Sequence, residues 1–149
     1  MRTVIVCAVI IAFVIAAGPS AVRARLNEDA DQIEKEYGPL VQRHLRDDGM
    51  VMVAFHKNKN PYVYVVLFDK GMSVSEKISR VDGRELTEKE IARFLKQNGA
   101  RAEWTNKNDK ERGFERSDHR AEAVYGKVDG RPTLTVRRTE QKDELRRKN

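Results

Sequence analysis

Apolar residues along this chain fall into three patterns. The first is an unbroken run, Val4 to Ala17 (VIVCAVIIAFVIAA). As a helix it would reach about 21 Å, whereas a bilayer core is about 30 Å thick, so it is too short to span a membrane. Met1-Arg2-Thr3 gives it a basic start, Gly18-Pro19-Ser20 breaks it, and Ala21-Val22-Arg23-Ala24 offers small residues for cleavage. We expect a signal peptide over residues 1–24, cleavage after Ala24, and a secreted or periplasmic product without a permanent membrane span.

The second pattern is alternation with a period of two. Met50 to His56 and Tyr62 to Phe68 (YVYVVLF) are β-rich runs joined by the polar turn Lys57-Asn58-Lys59-Asn60-Pro61. The later run sets Tyr62, Tyr64, Val66 and Phe68 on one face and Val63, Val65 and Leu67 on the other. Both faces are apolar, which predicts a strand at the centre of a sheet. After Asp69-Lys70-Gly71, the residues Met72, Val74 and Ile78 alternate with Ser73, Ser75, Lys77 and Ser79, as in a strand with one buried and one wet face. Ala121 to Tyr125 and Pro132 to Val136 predict a hairpin around Asp129-Gly130, and Ala102 and Trp104 fit a further short strand.

The third pattern is helical. Asp29 to Tyr37 is acidic at its start and stopped by Gly38-Pro39, with Ile33 and Tyr37 on one face. Thr87 and Glu90 form a capping box ahead of Ile91, Phe94 and Leu95, and Asn98-Gly99 ends that helix. Residues 39–46 fit either a helical turn or an extended arm. Residues 105–117 read as a charged loop anchored by Phe114, and no internal repeat is visible. The sum is a single α+β domain over residues 25–138, an antiparallel sheet of five to six strands with two helices in the order α-β-β-β-α-β-β(-β). A charged tail, 139–149, follows.

Composition narrows the function. The full chain carries a formal charge of +6. Removing Arg2 and Arg23 with the signal leaves 27 basic against 23 acidic residues, or +4, with both signs interleaved. That mixture lacks the concentrated basic stripe of a nucleic-acid binder. The single cysteine, Cys7, leaves with the signal, so the product has no thiol nucleophile, thiolate ligand or disulfide.

Tyr37-Gly38 after the first helix is one of three matching stretches. The others are Asp82-Gly83-x-x-Leu86-Thr87-x-x-Glu90-Ile91 and Arg116-Ser117-Asp118 leading to Ala121-x-Ala123-x-Tyr125. With this element order, residues 29 to 138 resemble a family of small exported bacterial α+β proteins. The resemblance implies the fold and the compartment and brings no activity. The architecture is also similar to small periplasmic modules that bind proteins, a likeness of fold alone.

Candidate chemistry is sparse. His44, His56 and His119 stand in separate elements with no paired metal-ligand spacing, so we expect no metal site and no cofactor. Gly71-Met72-Ser73-Val74-Ser75 lacks the second glycine of a nucleophile elbow. Asp118-His119 joins an acid to an imidazole, but adjacent residues on an extended chain point apart. Binding is therefore expected through Tyr62 and Tyr64, if the helices leave their strand face open, or through the turn lysines Lys57 and Lys59. The alternative for the tyrosines is burial, with one helix on each face of the sheet. The expected function is a noncatalytic binding or scaffold module for a protein or an anionic envelope polymer. A hydrolase of envelope material using acids and His119 is the other reading.

Overall fold

The computed structural model describes residues 25–108 and 112–139. The expected signal, and all of the expected tail except Thr139, lie outside the described residues. The elements are α1 (Ala30–Tyr37), β1 (Leu40–Leu45), β2 (Val51–Phe55), β3 (Tyr62–Asp69), β4 (Met72–Arg80), α2 (Glu88–Gln97), β5 (Trp104–Asn108), β6 (Gly113–Arg116), β7 (Ala121–Val128) and β8 (Arg131–Arg138). All eight strands join one antiparallel sheet in the order β1-β2-β3-β4-β8-β7-β6-β5.

The expected five to six strands are thus corrected to eight. The additions are β1 and β6, and both escape periodicity for physical reasons. Every residue of β1 is exposed, so its sequence carries no alternation, and backbone pairing with β2 holds it in place. The β5–β6 pair lies at the opposite edge of the sheet, where charged residues are the rule, and Trp104 and Phe114 are its apolar side chains that pack against the core.

Both helices start as their sequences require. The side chain of Thr87 accepts from Glu90 N while Glu90 accepts from Thr87 N, and Asp29 and Gln32 exchange the same pair of bonds ahead of α1. Each helix then buries one face, Ile33 and Tyr37 from α1 and Ile91, Phe94 and Leu95 from α2. They cover the same side of the sheet. Tyr37 stacks on Tyr64 with ring centroids 3.7 Å apart, and Phe94 meets Tyr62 edge-on at 5.0 Å. Val53, Phe55, Val66, Ile78, Ala123, Tyr125, Leu134 and Val136 complete this inward row across the central strands.

The element order repeats. A helix followed by a four-stranded meander occurs twice, α1-β1-β2-β3-β4 and then α2-β5-β6-β7-β8, and the two sheets fuse along β4 and β8. The strand order reads inward from both edges to that seam, as a two-fold relation between the halves would arrange it. Residue patterns conceal the relation, because β3 fills its half of the core with Tyr62, Tyr64, Val66 and Phe68 where β7 uses Ala121, Ala123 and Tyr125.

The segment before α1 is tied to β4. Asn27 N donates to Ser73 O at 2.9 Å, Ser73 N donates to Glu28 O at 2.9 Å, and Leu26 enters the core. Arg138 at the end of β8 also donates to the Asn27 side chain, at 2.8 Å.

Candidate functional site

The tyrosine pair does not form a docking patch. Tyr62 is 8 % and Tyr64 is 6 % exposed, because both helices settle on their face. The large flat rings that made this row attractive for binding are what the helices pack on. Tyr62 also has a structural partner, donating its hydroxyl to Glu90 Oε1, which further accepts from Arg80 Nη1 at 2.7 Å. The Tyr62 hydrogen bond, with those from Thr87 and the Arg80 charge, holds the Glu90 carboxyl down at about 2. This network fixes the start of α2 to the edge of its core.

Lys57 and Lys59 are exposed on the turn between β2 and β3. They stand beside the tyrosines in sequence, but the buried rings share no surface with them. The histidines remain apart. His44 is exposed on β1, His56 Nδ1 stands 3.0 Å from the Tyr62 carbonyl, and His119 projects from the turn before β7 with its ring 3.2 Å from Glu115. Asp118 turns to Arg116 at 2.9 Å and caps Arg120 N, so it is not aimed at His119. Among the described residues no group of three or more His, Cys, Asp or Glu side chains is placed to hold a metal ion. No described helix is long and apolar enough to cross a membrane.

No described helix covers the opposite face of the sheet. Side chains alternate along each strand, so strand register reads off what that face carries. One row runs Ala54, Val65, Lys77, Thr135, Val124 and Gly113, from β2 to β6. The adjacent row runs His44, Met52, Leu67, Ser75, Arg137 and Glu122, from β1 to β7. With Val63, the β2–β3 part is therefore apolar: Met52, Ala54, Val63, Val65 and Leu67, all half-buried by their neighbours.

Beyond the seam the chemistry changes. Glu122 accepts from Arg137 Nε at 2.6 Å and from Lys107 Nζ at 3.3 Å, a cross-strand ion cluster that satisfies its own charges. Lys77 lies between the two regions, opposite Val65 and Thr135, with no acid in ion-pair distance among the described residues. Periodicity had already separated Val63, Val65 and Leu67 from the tyrosines. What the sequence concealed was which face the helices would take.

The chain matches no protein-family model, no curated protein and no solved structure.

Proposed function

We propose that this protein is an exported, noncatalytic binding module that docks a protein partner on the open sheet face over β2 and β3. The observation that carries the reading is an apolar surface, Met52, Ala54, Val63, Val65 and Leu67, over which no described helix lies, while α1 and α2 both serve the other side. Contiguous apolar area on a small domain is characteristic of interaction sites, and cores of interfaces are depleted in charge. Supporting the noncatalytic half of the reading, the three histidines stand apart, and Asp82, Glu90, Asp118 and Glu122 are each engaged by a neighbouring arginine rather than converging on a reacting atom.

The test is site-specific photo-crosslinking in the native source. A crosslinking residue at Val65 is expected to trap one partner, and Val63→Arg in the same chain is expected to abolish the adduct. The same crosslinker at Lys59 should trap little. Adducts at Lys59 that survive Val63→Arg would move the contact to the lysine turn, and an anionic polymer would then replace the protein as partner. That contact would weaken between low and physiological salt, whereas the apolar one would change little. Loss of a hydrolytic turnover in folded His119→Ala would replace the binding reading with the catalytic one.

A further inference from the structure

On β4 the inward row contains one residue that does not belong in a core. Glu76 is 1 % exposed and is paired across the sheet with Val66 on β3 and Val136 on β8, both fully buried. Above it stand the Tyr37 hydroxyl from α1 and the Asn98 amide from the end of α2, with Arg25 and Glu28 on the segment leading into α1 and Tyr64 beside it on β3. Neither Glu76 oxygen is in an ion pair or a well-formed hydrogen bond. Tyr37 and Asn98 stand near enough to favour the carboxylate as hydrogen-bond donors, yet the Tyr37 hydroxyl lacks a hydrogen bond of good geometry, as does Asn98 Oδ1.

The cation that acts on Glu76 is engaged elsewhere: Arg25 lies 3.2 Å from Glu36 and 3.9 Å from Glu28. Arg116, which reaches the Asn98 carbonyl at 3.0 Å, is held by Asp118 at 2.9 Å. A negative charge at Glu76 would therefore sit between two valines without a dedicated counter-ion, which is costly in a core. A neutral carboxyl avoids that cost.

We propose that Glu76 is a proton-operated latch on α1: the helix docks fully over the neutral acid, and ionisation loosens its Tyr37 end. The Tyr37 end of α1 is the part to respond: within the helix the buried anchors are Ile33 and Tyr37, the backbone ties and Leu26 hold its other end, and Tyr37 is the anchor that faces Glu76, whereas α2 has three anchors. Burial raises the carboxyl to about 7 and outweighs the pull of Tyr37, Arg25 and Asn98 toward the ionised form, so a carboxylate gains more from water let in by a loosened helix end than it loses with the Tyr37 contact.

The sign follows from linkage. Below the ordinary glutamate value of 4.5 the folded and unfolded chains both carry the proton, so Glu76 imposes no penalty. Between 4.5 and about 7 the unfolded chain ionises first and folding is progressively disfavoured. Above that range the penalty is complete, on the order of a 300-fold change in the folding equilibrium, as an upper limit.

The experiment is hydrogen exchange and denaturant unfolding of the full chain at pH 5 and pH 8, for the wild type and Glu76→Gln. Exchange protection over 30–37 is expected to fall at pH 8 by at least tenfold more than over 88–97, after correction for intrinsic exchange. Glu76→Gln is expected to abolish that difference; the histidines are common to both proteins and cancel. Carbon NMR of the wild-type carboxyls keeps the proposal testable if Glu76→Gln fails to fold, since one glutamate should titrate near pH 7. Titration of every glutamate below pH 5.5, or equal protection of α1 at both pH values, would overturn it.

Discussion

A side chain at Gly38 has nowhere to go. With φ 95° and ψ −174° the residue occupies backbone space that is essentially reserved for glycine, and an added Cβ would lie 2.6 Å from Lys57 Cβ and 2.9 Å from Lys57 Cα. Gly38→Ala is expected to cost about 1–3 kcal/mol in urea unfolding. Gly49→Ala, at a positive φ but with open space around it, should cost less. Phe94 is a second test at this scale, because it lies under α2 with its ring against Tyr62 and Tyr64. Phe94→Ala is expected to cost about 3–5 kcal/mol by the same measurement. Glu90 acts on the acid side of the pH profile. Its folded value of about 2 lies below the ordinary 4.5, so its contribution is present above pH 4.5 and is lost as the pH falls toward 2. Tyr62→Phe removes the first of the bonds responsible and should reduce the stability lost between pH 5 and pH 3. With Glu76 opposing from above, the profile is expected to peak in mildly acidic solution.

Elements that bury a face were legible, and those that do not were not. The capping box at Thr87 and Glu90, the spacing of Ile91, Phe94 and Leu95, and the alternation from Tyr62 to Phe68 each express a boundary between core and water. β1 has no such boundary, with Leu45 67 % exposed and Leu40 and Val41 also in solvent, and residues 39–46 accordingly fit two structures. In β4 the alternation of Met72, Val74 and Ile78 passes over Glu76 because charge is normally a sign of water. A bulge between β3 and β4 shifts the register there, so Ser73 turns inward and Met72 is left exposed. Sequence can reveal that both faces of β3 are apolar, but helix placement depends on tertiary packing, and the tyrosine face expected to stay open is the one the helices cover. As an edge, β1 presents apolar side chains and unpaired backbone, the combination that invites strand addition. Leu45→Lys is expected to change stability by less than about 0.5 kcal/mol and to slow aggregation on heating, read by light scattering.

At the scale of the whole molecule, two equivalent meanders share one seam, and β8 ends beside the segment that precedes α1. Within each half the paired strands are neighbours in sequence, whereas β4 and β8 are brought together from far apart. Local pairs close with little loss of chain entropy, so pairing at the seam is expected to be the slow part of assembly. The contact between Arg138 and Asn27 has a further consequence for how freely the chain can be rewired. A short glycine-serine bridge from Thr139 to Arg25, with new ends opened between Gly83 and Arg84 in the exposed connection after β4, would give a circular permutant. Its order, α2 and its four strands followed by α1 and its four strands, has the same form as the native one. Such a permutant is expected to fold with the native circular dichroism and with its unfolding midpoint lowered only modestly. Exchanging the halves would merely rename which came first.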